Sequence, residues 1–318
     1  MVYNSHGVAA VLSRLKGRSL LSSSNLNSEE TTALLELALQ LKNGERRIDL
    51  GNRVLGLIFK KASTRTRVSF QVAMARLGGQ IVDLNPQITQ LGRGEPLKDT
   101  ARVLSRFCDA LAIRTFEQKE LVDYKNWASI PIINALTDLE HPCQALADYL
   151  TIKENFGDLK GKNLAYIGDG NNVANSLIIC GALLGVNVYI SSPKGFEPLP
   201  EIIEQASKIA KTFSTIEVNN DPYKSVKSAQ VLYTDVWASM GQEKEQITRK
   251  EAFKDFCLDE KLLHHAPSNA IILHCLPAHR GEEISSAVFE SNSSRIFDQS
   301  ENRLHVQQAL LAALMGGL

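Results

Sequence analysis

Six apolar residues, Val54-Leu55-Gly56-Leu57-Ile58-Phe59, run into Lys61-Ala62-Ser63-Thr64-Arg65-Thr66-Arg67. Helical spacing then takes over at Val68, Val72 and Ala75, and Gly78-Gly79 closes the stretch. A buried strand followed at once by a helix is the building unit of a parallel sheet, because parallel neighbours need a crossover connection. The unit recurs. Strands are expected at 81–84, 110–115, 131–135, 163–168, 186–190, 215–218, 231–234 and 270–273. Helices are expected at 29–42, 98–108, 117–127, from about 137 to 155, at 173–184 and at 301–315. Such alternation predicts an α/β fold whose parallel sheets are covered by helices on both faces.

Phe156-Gly157-Asp158-Leu159-Lys160-Gly161 breaks the pattern, which then restarts. A chain of 318 residues suits about two domains. The expected division is 1–150 and 151–318, with 300–318 a closing helix. Residues 1–28 contain no acid but do contain Arg14, Lys16, Arg18 and many serines, a composition transit peptides share. This stretch runs straight into a helix, for which Ser28 is the expected N-cap and Glu29 and Glu30 the first turn. The first 15 or so residues are therefore expected to form a loose extension of a cytoplasmic protein.

Lys+Arg and Asp+Glu both number 35, which argues against a nucleic-acid binder steered by global charge. No apolar run approaches the ~18 residues of a membrane span. The five cysteines form no C-x-x-C pair and leave one over, which suits free thiols in a reducing compartment.

The first N–H groups of a helix lack partners, and its dipole favours an anion there. Ser63, Thr64 and Thr66 hydroxyls with the Arg65 and Arg67 forks at that place predict a phosphate cradle, against the plainer alternative of a solvated basic turn. Further polar groups fall at strand ends: Arg114, His141 to Gln144, Asn171-Asn172, Asp235 and His274-Cys275. Ligands of such sheets sit at the carboxyl ends of strands, so one cleft between two domains is the simplest account. Gly168-Asp169-Gly170-Asn171-Asn172-Val173 invites a dinucleotide reading. Val173 replaces the third glycine, and the next strand ends in Ser191-Ser192 where a ribose-binding acid belongs. Asn171 and Asn172 are better placed to bond a small polar substrate. His274, Cys275 and His279 lack a zinc-finger spacing, and no metal is expected. Cys275 fits either the core or the site.

Four stretches in order resemble the aspartate/ornithine carbamoyltransferase family, and its ornithine branch closely. They are Ser63-Thr64-Arg65-Thr66-Arg67, His141-Pro142-Cys143-Gln144, Asp235 to Glu243 and His274-Cys275-Leu276-Pro277. The resemblance covers nearly the whole chain from about Leu15. It implies a carbamoyl phosphate domain, then an amino-acid domain, with the C-terminal helix packing back on the first. It also implies a homotrimer with sites at subunit interfaces and no cofactor. Carried over by position, Ser63, Thr64, Arg65, Thr66, Gln90, Arg114, His141, Gln144, Cys275, Leu276 and Arg303 should contact carbamoyl phosphate. Asn172, Asp235, Ser239 and Met240 should hold ornithine. An aspartate-specific relative has Pro-Leu-Pro-Arg and an extra Arg where this chain has Cys275-Leu276-Pro277-Ala278 and Asn172, whereas a cationic substrate wants Asp235.

The implied reaction is attack of an amine on the carbamoyl carbon, giving citrulline and phosphate in arginine metabolism. Putrescine is the alternative acceptor. Arg114, His141 and Thr66 are the expected donors to the carbonyl oxygen, and Cys275 and Asp235 the groups that orient the amine. Readings from other classes are a nicotinamide oxidoreductase and a non-catalytic phosphate-binding regulator.

Overall fold

A computed structural model describes residues 5–85, 94–238, 246–291 and 293–318. The chain divides into two compact units, residues 1–150 with 302–318, and residues 151–301. The divisions fall inside helices, so the chain changes unit without a loop.

In the first unit α1 (Ser5–Leu12) and α2 (Ser28–Lys42) precede the sheet. Then come β1 (Val54–Phe59), α3 (Thr64–Arg76), β2 (Gln80–Leu84), α4 (Leu97–Phe107), β3 (Ala110–Arg114), α5 (Gln118–Trp127), β4 (Ile132–Leu136) and α6 (Pro142–Phe156). The sheet order is β2-β1-β3-β4, and every pairing is parallel. The chain leaves β1 toward β2 and returns to β3 on the other side. That reversal opens a crevice beyond the carboxyl ends of β1 and β3. Register fixes what borders it, because Phe59 pairs with Arg114. Gly56 permits the pairing: a Cβ there would lie 2.6 Å from Leu111 Cδ2 on β3.

The second unit runs β5 (Asn163–Ile167), α7 (Asn172–Leu184), β6 (Asn187–Ser191), α8 (Pro200–Ala210), β7 (Ile216–Asn219), α9 (Pro222–Val226), β8 (Val231–Thr234), α10 (Gln246–Phe253), α11 (Glu260–Leu263), β9 (Ile271–His274) and α12 (Ser286–Phe289). Its sheet, β7-β6-β5-β8-β9, is parallel throughout and reverses between β5 and β8. Trp237, Phe253, Phe256, Phe289 and Ile296 pack one of its cores. The closing helix α13 (Ile296–Met315) starts earlier than the sequence pattern suggests and carries residues 302–318 into the first unit. Among the described residues no helix is long and apolar enough to cross a membrane.

Two expectations at the N-terminus are corrected. Residues 5–15 are not a loose extension: α1 and the turn after it bury Val8, Val11, Leu12 and Leu15. Their apolar spacing is helical, and that face is large enough to be driven out of water. Further on, Leu20 joins the sheet edge through an isolated parallel bridge to Ile133. The N-cap of α2 is Asn27, one residue before Ser28; its side chain accepts from the Glu30 N–H while Glu30 accepts from the Asn27 N–H. Asn and Ser are near-equal caps, and the reciprocal Glu selects Asn27.

Leu12 is completely buried, so Leu12→Ala should lower stability by about 2–5 kcal/mol. The check is a thermal or urea melt; a loose extension would leave the midpoint unmoved.

Candidate active site

Ser63 leaves β1 with an extended backbone and caps α3, its Oγ accepting from the Thr66 N–H at 3.3 Å. The same Oγ accepts from Arg114 Nη1 at 3.2 Å. Thr66 Oγ1, buried, accepts from Arg114 Nη1 at 3.4 Å and from Arg303 Nη2 at 2.6 Å. Arg303 also donates through Nη1 to Gln144 Oε1 at 3.0 Å. Thus α3, β3, α6 and α13 meet at the start of one helix, where the dipole favours an anion.

Charge makes this place unusual. The contacts just named join buried guanidinium groups to neutral hydroxyls and an amide. Burial, then Arg303 and Arg65, pulls Arg114 down to about 10. His141 is buried and held well below 6.5 by burial first, then by Arg303, Arg114 and Arg65. It is therefore a neutral imidazole at pH 7, which carries one ring N–H. Clustered guanidinium groups are the chemistry of phosphate recognition.

One expected member leaves the cradle. Arg67 pairs with Asp83 and lies over the Phe59 ring, 5.0 Å from its centroid. Arg114 and Arg303 supply the permanent charge instead. Thr64 is exposed and Arg65 half-buried at the helix start.

In the second unit the turn after β5 and the turn after β8 flank the β5–β8 reversal. Asn171 caps α7 through Oδ1, which accepts from Val173 and Ala174 N–H groups. Its Nδ2 donates to Asp235 Oδ2 at 2.7 Å. Asp235 is buried; its Oδ1 accepts from the Cys275 thiol at 2.9 Å and from the Val236 N–H at 2.8 Å. Asn171 therefore orients Asp235 instead of facing a substrate, and Asn172, half-buried, begins α7 beside it. Arg249 ties the two turns together, donating to Asp169 at 3.0 Å and to the Trp237 carbonyl at 2.8 Å.

Cys275 follows β9, is half-buried, and donates its thiol to the Asp235 carboxylate. His274 is wholly buried: its Nδ1 accepts from the Leu276 N–H at 2.8 Å, so Nε2 carries the proton and donates to Glu283 at 3.0 Å. Leu276 has a left-handed φ of 61°, rare for a leucine, and precedes a cis proline. Asp235, His274 and Cys275 bring ligand atoms within 4.8 Å of one another. Both His274 nitrogens are engaged, and Cys275 and Asp235 bond each other, so a metal would have to break these bonds. Gly170 answers the dinucleotide reading: a Cβ there would sit 2.1 Å from Pro198 N, so the protein's own backbone fills the approach a pyrophosphate would need.

Gln90, Ser239 and Met240 lie outside the described residues. Asp148 belongs to the first-unit cluster, and Arg249 and Glu283 to the second-unit cluster, although the sequence pattern does not single them out. Asp148 carries a signal, standing one helical turn after Gln144; Arg249 and Glu283 sit among ordinary charged residues and carry none.

Residues 18–154 match the family described as "Aspartate/ornithine carbamoyltransferase, carbamoyl-P binding domain", and residues 160–314 its "Asp/Orn binding domain". The chain belongs to the aspartate/ornithine carbamoyltransferase family. An ornithine carbamoyltransferase of Prochlorococcus marinus (strain MIT 9313) is 72% identical over 318 residues, all of both chains. The solved ornithine carbamoyltransferase of Gloeobacter violaceus is 51% identical with TM-score 0.87, covering 95% of this chain and 100% of its own. That of Pyrococcus furiosus is 48% identical with TM-score 0.91, covering 96% and 99%. Within this carbamoyltransferase chain, the first-unit cluster lies in the carbamoyl-P binding match and the Asp235 cluster in the Asp/Orn binding match, with Arg303 the exception.

The buried neutral His141 has a stability signature. Its native pKa is lowered, so below pH 6.5 the unfolded chain takes up a proton that the native state refuses. Stability is lost as pH falls, by about 1.4 kcal/mol per unit while the native ring stays neutral. His141→Gln should remove this component: the stability gap between variant and wild type should differ between melts at pH 7.5 and pH 5. A gap independent of pH would assign the acid sensitivity elsewhere.

Proposed function

We infer that the chain is an ornithine carbamoyltransferase, moving the carbamoyl group of carbamoyl phosphate to the side-chain amine of L-ornithine and releasing L-citrulline and phosphate. The observation that carries this reading is the convergence of Arg114 and Arg303 on Thr66 at the start of α3, beside a neutral His141. It supplies fixed cations for a phosphate and uncharged donors for a carbonyl oxygen. The relatives' shared name supports ornithine, and a buried Asp235 suits a cationic amino acid. The same likeness favours ornithine over putrescine; a homotrimer as the assembly and the cytoplasm as the compartment are proposed from the sequence resemblance alone.

In the proposed mechanism Ser63, Thr64, Arg65, Arg303 and Gln144 hold the phosphate, and Gln90 and Leu276 complete the carbamoyl phosphate contacts. Arg114, Thr66 and His141 donate to the carbonyl oxygen, which gains negative charge as nitrogen adds to carbon. Asp235, with Asn172, Ser239 and Met240, holds ornithine. An alkyl amine of pKa about 10.4 is mostly protonated at neutral pH. One proton leaves to solvent before attack, Cys275 with Asp235 directs the lone pair, and the second proton of the adding nitrogen leaves with the departing phosphate. The C–N bond forms, the C–O bond to phosphate breaks, and the phosphate departs onto the guanidinium groups already in place. Much of the rate is expected from holding two reactants in line.

Citrulline formation from carbamoyl phosphate and ornithine, read colorimetrically, tests the reaction, and a folded chain that makes none overturns it. Arg65→Ala should lower kcat/KM by roughly a hundredfold or more, the scale of one lost donor to developing charge. Near-normal turnover would remove Arg65 from the phosphate contacts. Asp235→Asn keeps the shape but removes the anion, and its NH2 replaces an oxygen that now accepts from a donor: ornithine KM should rise at least tenfold while carbamoyl phosphate KM stays within about twofold. Equal changes in both would make Asp235 a structural residue.

A further inference from the structure

Four acids are buried near the residues above, and each has a different employer. Glu140 holds Ser22 and Ser23 of the N-terminal segment. Asp169 holds Arg249, and Glu283 holds His274. Asp148, wholly buried on α6, accepts from Gln144 Nε2 at 2.8 Å, and Gln144 in turn accepts from Arg303 at 3.0 Å. Asp148 thus reaches the Arg303 guanidinium through Gln144.

We propose that Asp148 is a positioning residue for carbamoyl phosphate, acting by fixing which way the Gln144 amide points and thereby holding the Arg303 fork in place. The reasoning is one of donors and acceptors. A primary amide presents an acceptor at one corner and donors at the other, and nothing in its shape prefers either orientation. A carboxylate only accepts and a guanidinium only donates. With Asp148 on one side and Arg303 on the other, one orientation satisfies both neighbours. The reverse sets NH2 against guanidinium N–H and oxygen against oxygen. Once the amide is fixed, Arg303 has an acceptor for Nη1, and Nη2 falls on Thr66 Oγ1 at 2.6 Å. Two anchored nitrogens hold the plane of a planar fork. The spacing is helical: Gln144 and Asp148 are one turn apart on α6. The proposal rests on the reaction inferred above, since it names carbamoyl phosphate as the ligand Arg303 meets.

The test uses the full-length enzyme and initial rates with each substrate varied. Asp148→Asn is isosteric but lets the Gln144 amide turn, because the substituted amide offers donor or acceptor. The carbamoyl phosphate KM should rise roughly tenfold, the scale of one misdirected charge-assisted hydrogen bond, while the ornithine KM stays within about twofold. In a Gln144→Met background no amide remains to be oriented, so adding Asp148→Asn should raise the carbamoyl phosphate KM no further. Wild-type constants in Asp148→Asn, equal rises for both substrates, or an undiminished rise in the Gln144→Met background would each overturn the proposal. If Asp148→Asn does not fold, the double variant should fold with the KM of Gln144→Met. Failure of both would make Asp148 a folding residue and end the positioning role. Calorimetric binding of inorganic phosphate separates this proposal from the reaction itself: a wild type that forms no citrulline sinks the reaction, while roughly tenfold weaker phosphate binding by Asp148→Asn would still support the anchor.

Discussion

The contact between Arg303 and Thr66 is the constraint on which the first unit's chemistry depends. Residues 237 positions apart in the chain meet at 2.6 Å, and the meeting puts a second buried guanidinium beside Arg114. Burying like charges together is unfavourable, and the lowered pKa of Arg114 records the cost. The fold holds that arrangement because α3 offers hydroxyls and helix-end N–H groups at the same place, and because Gln144 on α6 gives the Arg303 fork a second acceptor. In the proposed function a doubly charged phosphate group relieves the repulsion.

The second unit works by the opposite sign. Asp235 is a buried carboxylate held by Asn171, Cys275 and the Val236 N–H, all of them uncharged donors. They fix its orientation and leave its charge uncompensated by those contacts. A cationic amino group is the natural complement. Asn171 has two tasks at once, capping α7 and aiming Asp235, which explains why the Gly-rich turn here has become a support for a side chain and not a bed for a pyrophosphate.

Both units use the same topological device. A parallel sheet whose chain reverses direction of growth leaves a crevice at the carboxyl ends of the two strands where it reverses. In the first unit those strands are β1 and β3, which carry Ser63 to Thr66 and Arg114; in the second they are β5 and β8, which carry Asn171 and Asp235. The two similar folds thus place opposite charge at equivalent positions.

Much of this was legible in the sequence. Short apolar runs alternating with helical spacing determine parallel α/β units, because a buried strand and an amphipathic helix have different periods and each can satisfy its backbone only in its own form. The cradle residues Ser63 to Thr66, with Arg114, His141 and Asp235, stand at strand ends, where the chain order alone puts polar side chains outside the sheet. Local pattern misjudges places where a neighbour decides. The first residues have the composition of a loose tail, yet Val8 and Leu12 find a surface to bury against. Arg67 has the chemistry of a cradle residue, yet Asp83, on the adjacent strand, takes its charge. Asn171 stands where a substrate contact belongs, yet the register of β5 with β8 sets it beside Asp235. The sequence determined which chemical groups exist and on which elements they ride; the tertiary structure decided which of them face one another, because hydrogen bonds and charges act over a few ångströms and chain distance says nothing about that.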